Sequence, residues 1–400
     1  MSPGPQPRLT AAAIDATRMP DEVLVAQSPG SPDSVVDTAA QRLGLLVLER
    51  TDIAVLGARV SRIGIPDGRS IEQVIAALAA EPDIGLVQPN HIYRRQQQGA
   101  ASARAPSPES PAPDGQTVQY ALRNMSADAA HRASTGRDVV IAVIDTGVDS
   151  SHPDIAAAKL SSRVIVDLGA PAELAHGTSI AGIIAANGTT RGMAPDARIL
   201  SIRAFAASPP SGRTAPHRST SMVVLKAVDA AMATAAQVLN LSFAGPRDAL
   251  LEQALAEVVE RRTVVVAAAG NEGAGAPPAY PAAYSGVIAV TAIDARDRQY
   301  AHANRGAYIT VAAPGVEVLA ASADHGHELV SGTSFATAHV SALVALLLQV
   351  APDLTPAEII RAIQETARDL GAPGYDPVFG AGATNAAAVL GHELVTTQGR

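Results

Sequence analysis

Cysteine and tryptophan are absent from the 400 residues, and aromatic side chains make up only 3% of them. The missing cysteines exclude disulfides, a thiolate nucleophile and Cys-ligated zinc. They do not fix the compartment, because large secreted domains can do without disulfides. With so few rings, the core must be built from Ala, Val, Leu and Ile, which the 47% hydrophobic content supplies. No Lys/Arg run stands out, and the net charge is −8 with a pI near 5.7. That balance argues against nucleic acid or an anionic membrane as partner. The longest apolar run, Ser341 to Val350, is too short to span a bilayer. The first twenty residues lack the apolar stretch of a secretory signal, so the compartment is unknown from this feature.

A chain of this length is expected to hold two or three domains. Residues 1–20 read as a flexible leader. Residues 21–94 read as a small α+β unit. "EVLVA" (22–26), "LLVLE", "IAVLGARVSRI" and "IGLVQP" (84–89) are expected strands, with helices over 33–44 and 70–82. Ser70 and Gln73 stand at capping-box spacing. The order β-α-β-β-α-β fits a split, ferredoxin-like sandwich. Residues 95–117, rich in Gln, Ala, Ser and Pro, read as an exposed linker open to proteolytic nicking.

From about 118 to 400 the pattern becomes an α/β domain. "DVVIAVID" (138–145), "ARILSIRAF" (197–205), "QVLNLSF" (237–243) and "RTVVVAAAG" (262–270) are near-continuous apolar runs. Such runs suit a mainly parallel sheet covered by helices on both faces. Helices are expected near 177–187, 220–234 and 247–261. Another opens at Thr355-Pro356 with Glu358 completing a capping box.

Sheets of this kind present ligand groups beyond the carboxyl ends of their strands. Asp145 is expected there, either to orient an imidazole or to form a turn. His176 opens an apolar helix, as a base or as a cap. Ser334 follows Gly332-Thr333 at the head of the apolar helix that ends near Val350. It is either a plain cap or a nucleophile whose free N–H and partial positive charge favour an oxyanion. Asn271, after a strand and Gly270, presents an amide that could be a second oxyanion donor or a turn former. His339 reads as a satisfied core residue. His152, His217, His302, His325 and His327 read as loop positions without metal-ligand spacing, so no metal site is expected.

Taken together, "IDTGVDSSHPDI", "HGTSIAGIIA", "LNLSFAGP", "AAAGNEG", "YPAAYSGVIAVTA" and "GTSFATAHVSA" resemble the subtilisin-like serine protease family over about 118–392. The order Asp, His, Ser is that family's own. The resemblance implies a triad of Asp145, His176 and Ser334, with Asn271 and the Ser334 N–H as oxyanion donors. It implies a self-processing proenzyme with 21–94 as inhibitory propeptide and the cleavage site in the linker. Ser242, Phe243 and Ala244 would form the substrate-binding wall strand, with Ala268, Ala269, Gly270 and Ala279 bounding the primary pocket. Ala244 replaces the family's usual Gly, so a tighter pocket favouring a medium apolar side chain is expected. Ala338 stands where the family usually has Pro, a harmless change inside a helix.

The resemblance implies protein or peptide substrates, the chain's own propeptide as a partner in cis, a monomer, and a secreted or periplasmic enzyme. No cofactor is required. Calcium is an optional ion in the family, but "AANGTTRGMAP" (185–195) is shorter than the usual calcium loop, so that site is expected to be lost. Asp154, similar to one of its carboxylates, then reads as structural. Two other functions fit the same residues. One is a dedicated peptide-maturation protease or cyclase. The other is a non-catalytic binding protein with a permanently docked propeptide.

Overall fold

The structure, a computed structural model, describes residues 17–27, 30–32, 34–95, 119–165, 174–207, 217–322, 324–393 and 395. The expected linker, apart from Arg95, and residues 1–16 of the expected leader lie outside these. The first unit runs β1 (Arg18–Gln27), α1 (Ser34–Arg42), β2 (Leu46–Ile53), β3 (Ala58–Gly64), α2 (Ile71–Ala79) and β4 (Ile84–Arg95). Its strands lie in the order β2-β3-β1-β4, all antiparallel. The Ser70 hydroxyl accepts from Gln73 N and the Gln73 side chain from Ser70 N, so α2 starts with the expected capping box.

Three boundaries differ from the sequence reading. β1 begins inside the expected leader, because β4 runs on to Arg95 and offers His91 to Arg18 beyond a register shift at Pro89. "IAVLGARVSRI" is not one strand. The chain reverses over Ala54 to Gly57, where Gly57 takes φ +60°, and Ile53 and Ala58 become partners in a hairpin. Finally β4 is twice as long as "IGLVQP" suggested.

Successive residues of β1 point to opposite faces. Val23 and Val25 pack under α1 and α2, with Val36, Val74 and Leu78. Leu24 and Ala26 face the second unit.

That unit contains α3 (Tyr120–Asn124), α4 (Ala127–Ala130), β5 (Val140–Asp145), α5 (Pro153–Ala156), β6 (Lys159–Val164), α6 (Ala175–Ala185) and β7 (Arg198–Arg203). Next come β8 (Ala206–Ala207), β9 (His217–Thr220), α7 (Ser221–Met232), β10 (Val238–Leu241), β11 (Phe243–Ala244) and α8 (Ala249–Glu260). The chain continues through β12 (Val264–Ala268), β13 (Val287–Ile293), β14 (Val311–Pro314), β15 (Val318–Ala321) and β16 (His327–Val330). It closes with α9 (Thr333–Val350), α10 (Pro356–Glu365) and α11 (Ala386–Leu390).

Seven strands form one parallel sheet in the order β14-β13-β12-β10-β5-β7-β6. Alternate residues feed two cores. Ile141, Val143, Val264 and Val266 pack under α6 and α9. Ala142, Ile144, Val265 and Ala267 pack under α7 and α8. This is the expected α/β fold with helices on both faces.

α9 is buried on all sides. By length and composition it could cross a membrane, since the helix starts at Thr333 and not at the longest apolar run. But 89% of it is buried within the protein, as the central core helix. The first unit's sheet does not end at its own edge. β4 also pairs antiparallel with β9 and with β11, so one sheet joins both units.

Candidate active site

The parallel sheet sets the directions. β5 ends at Asp145, whose carboxylate emerges at the carboxyl edge. α6 starts across that edge with His176 as its second residue. The His176 Nδ1–H donates to both Asp145 oxygens, each at 2.9 Å. Both side chains are buried, at 7% and 3% exposure. Burial works to raise the Asp145 carboxyl. The adjacent imidazole, its hydrogen bond, the Thr146 N–H and the Arg95 charge outweigh it and hold the carboxyl below its ordinary range. A carboxylate that accepts only at Nδ1 fixes the imidazole tautomer and leaves Nε2 as a base. Gly177 makes the approach feasible: its N–H donates to Thr146 Oγ1 at 3.2 Å, and its α-carbon lies against the Gly147 carbonyl.

Ser334 is the second residue of α9, so its N–H is among the first-turn donors without an intrahelical acceptor. Asn271, just past β12, caps this helix. Its Oδ1 accepts from Thr333 N at 3.1 Å and from Thr333 Oγ1 at 2.9 Å. That anchor turns Nδ2 toward Gly332, where an added Cβ would stand only 3.1 Å away. Gly332 at φ +153° meets that restriction by having none.

Ser334 Oγ donates to the Ser242 carbonyl at 3.1 Å. The His176 ring lies 5.4 Å from the Phe335 ring, next to Ser334. Its buried Nε2 has no hydrogen-bond partner among the described residues. The serine and imidazole are therefore neighbours without the hydrogen bond expected between them.

A buried chain of hydrogen bonds ties this serine to β10. Ser341 Oγ donates to Asn240 Oδ1 at 2.9 Å, Asn240 Nδ2 to Ser242 Oγ at 2.9 Å, and Ser242 Oγ to Ser334 O at 3.2 Å. The sequence reading did not single out Asn240 or Ser341. Their signals were a lone amide inside the apolar run "VLNL" and a hydroxyl two helical turns beyond Ser334 on the same face.

The end of β4 occupies the groove beside these groups. Arg95 pairs with Phe243 and Arg94 with Ala244 on one side; Tyr93 pairs with Ser219 and Ile92 with Thr220 on the other. Of the expected wall strand, Phe243 and Ala244 form β11 and pair with β4, while Ser242 precedes it. A pocket of about 360 Å³ opens alongside, with Ala244 and Ala279 in its wall. Ala268, Ala269 and Gly270 do not line it. Ala268 and Ala269 are strand-end residues buried in the sheet, and Gly270 backs onto Asn304. Glu272, Pro277, Pro278, Tyr280 and Asn304 also line the pocket, as do Gly245 to Arg247 and, from the first unit, Thr17, Ile92 and Arg94; none of these was anticipated.

β4 also satisfies two helix ends of the second unit. Asn90 Oδ1 accepts from Met222 N in the first turn of α7, at 3.3 Å. Gln88 Oε1 accepts from Leu250 N in the first turn of α8, at 3.0 Å. These donors have no partner inside their own helices.

Asp154 is not arranged for a cation. Its oxygens accept from Thr189 N, Thr190 N, the Thr190 hydroxyl and His327 Nε2, so donors point where a metal would sit. Among the described residues no group of three or more His, Asp or Glu could hold a metal ion. His325 and His327 both stand beside His152, but His152 is tied to Gly326 O and His325 to Asp149 and Ser151. His339 is buried inside α9, with Nδ1 on the Phe335 carbonyl at 3.0 Å.

A profile of the Subtilase family (Peptidase_S8) matches residues 136–382. The thermophilic serine proteinase of Bacillus sp. (strain AK1) is 35% identical over 315 residues, 76% of this chain and 73% of its own. Subtilisin Savinase of Lederbergia lenta is 34% identical over 278 residues, 68% of this chain and 98% of its own. Among solved structures, fervidolysin from Fervidobacterium pennivorans, a keratinolytic enzyme related to subtilisin, superposes with a TM-score of 0.78 at 25% identity. That match covers 95% of this chain and 62% of fervidolysin, so the chain spans less than two thirds of it.

Proposed function

The chain belongs to the subtilase family of serine endopeptidases, and from that premise we propose that Asp145, His176 and Ser334 are its catalytic triad. The observation that carries this reading is the buried His176–Asp145 pair at the head of the sheet, beside the first turn of α9. Ser334 Oγ turns from the Ser242 carbonyl to His176 Nε2, gives up its proton there and attacks the peptide carbonyl. The imidazole then protonates the leaving amine, while Asp145 stabilises the imidazolium and holds its tautomer. The Asn271 amide and the Ser334 N–H receive the developing oxyanion. Water repeats the sequence on the acyl-enzyme.

Residues 21–94 act as a propeptide in this reading, and β4 is the reason. An extended strand that pairs on both sides with β9 and β11 lies as a substrate would, by strand addition. The caps given to α7 and α8 hold it there. The chain is made inactive and shortens itself within the segment that follows Arg95. A medium apolar side chain enters the pocket bounded by Ala244 and Ala279. The substrates are proteins or peptides.

The test uses the full chain. Incubation should yield a shorter product whose new N-terminus lies after Arg95, and a fluorophosphonate probe should then label Ser334. Ser334→Ala should abolish both. Shortening that persists at the wild-type rate in that variant would refute the nucleophile. The serine hydroxyl's present contact with Ser242 favours a second reading, a binding protein with its lid permanently docked. Failure of the wild-type chain to shorten and to take the probe is its signature.

A further inference from the structure

The side chain that β4 buries deepest is Tyr93, which is fully buried in a slot of the second unit. Its ring meets Phe243 edge-on at 5.6 Å, and Phe205 stacks behind Phe243 at 5.0 Å. Gly245 forms one side of the slot. A Cβ there would stand 2.6 Å from the Tyr93 ring, so the absence of a side chain makes room for it. The walls alone would take Phe as readily as Tyr.

The floor would not. The Tyr93 hydroxyl donates to Asp248 Oδ2 at 3.0 Å, and Asp248 is fully buried. Burial and the adjacent carboxylate push the phenol well above its ordinary value, so it stays protonated and can only donate to that oxygen. Asp248 Oδ1 accepts from Leu251 N at 3.0 Å, capping α8, and from Gln88 Nε2 at 2.7 Å. The nearby Tyr284 hydroxyl is engaged with the Asp248 backbone, accepting from N at 2.8 Å and donating to O at 2.9 Å. When β4 leaves, the carboxylate keeps the Leu251 N–H and loses both donors brought by the first unit. A side chain that then fills the slot must bring a donor of its own. Otherwise it seals a carboxylate oxygen away from water without one.

We propose that Asp248 is a specificity-determining residue, selecting substrates that carry a phenolic hydroxyl at the position Tyr93 occupies, two residues before the one paired with Phe243. This rests on the protease reading above, with β4 on the substrate path. A site built to hydrogen-bond a hydroxyl rejects the analogue that lacks it far more strongly than an apolar slot rejects a change of size.

The experiment takes the full chain after self-maturation and two quenched fluorescent decapeptides. One carries residues 90–99, Asn-His-Ile-Tyr-Arg-Arg-Gln-Gln-Gln-Gly. The other has Tyr93→Phe. The Tyr peptide should be cleaved with a kcat/KM higher by about 10- to 100-fold, the range of a hydrogen bond to a buried charge. Asp248→Ala should bring the ratio close to unity. Asp248→Asn, which keeps an acceptor for the α8 cap, should give an intermediate ratio. A merely structural Asp248 would lower both rates together and leave the ratio alone. Equal rates on the two peptides with the wild-type enzyme, or a ratio unmoved in both variants, would overturn the assignment and leave the protease reading standing. A self-matured enzyme that cleaves neither peptide would take β4 off the substrate path and overturn the assignment; a chain that neither shortens itself nor cleaves either peptide would overturn the protease reading, and the selectivity with it.

Discussion

Gly177→Ala tests how tightly the imidazole is held. Gly177 follows His176 in the first turn of α6, and an added methyl would stand 3.0 Å from the Gly147 carbonyl carbon, nearer still to its oxygen, and 3.3 Å from Thr146 Oγ1. Carbon atoms pack at about 3.5–4.0 Å, so α6 must withdraw from the β5 turn by on the order of 1 Å. Both neighbours are tethered. The obstructing atoms are backbone, and Thr146 adjoins Asp145, so the displacement falls on the 2.9 Å His176–Asp145 pair. Alanine gains about 0.5–1 kcal/mol of helix propensity over glycine, against an overpacking cost of about 1–3 kcal/mol. The fold should therefore survive, with a small net loss of stability. Activity should not, since a misplacement of about 1 Å costs on the order of 10²-fold. The assay is kcat on matured enzyme counted by probe titration, with thermal unfolding run in parallel. Gly182→Ala serves as control: its methyl would be 3.2 Å from Ala321 Cβ and meet no other atom nearer than 3.6 Å, so a shift of a few tenths of an ångström relieves it. A Gly177→Ala enzyme with kcat within a factor of two of wild type would show that the turn yields freely, and would refute the reasoning.

Two further predictions concern neighbouring groups. Asn271→Ala should lower kcat by about 10²–10³ with little change in KM, the magnitude established for the oxyanion amide of subtilisin, a relative of this chain. An unchanged kcat would remove Asn271 from the oxyanion role. His339 gives a pH signature independent of catalysis. Burial pushes its imidazole down from 6.5 to about 4, outweighing the Phe335 and Pro314 carbonyls that favour the charged form. The unfolded chain then takes up this proton first, so stability falls as pH drops from about 6.5 to about 4 and levels off below. The loss amounts to about 3 kcal/mol at 1.36 kcal/mol per pH unit. Denaturant unfolding of inactive Ser334→Ala with and without His339→Gln should show that slope only where His339 is present. Equal slopes would refute it.

Much of the architecture is written in local pattern. Near-continuous apolar runs such as "VVIAVID" mark strands covered on both faces, and capping boxes at Ser70 and Thr355 fix helix starts, because each is decided within a few residues. Asp145, His176, Asn271 and Ser334 were legible for the same reason: each sits at the junction of an element and a turn. A local pattern could not show that Gly57 splits one apolar segment into a hairpin, because register depends on the partner strand.

What tertiary structure alone decided lies in contacts between distant positions. Tyr93 and Asp248 are 155 residues apart, and Gln88 and Leu250 are 162 apart. So are the pairing of β4 with β9 and β11, the tether from Ser341 through Asn240 to Ser334, and the direction of the Ser334 hydroxyl. The sequence by itself determined which groups stand at the ends of elements, since hydrophobic periodicity and capping act over one or two turns. Which of those groups share a hydrogen bond is settled only when packing brings buried donors and acceptors together and each must be satisfied.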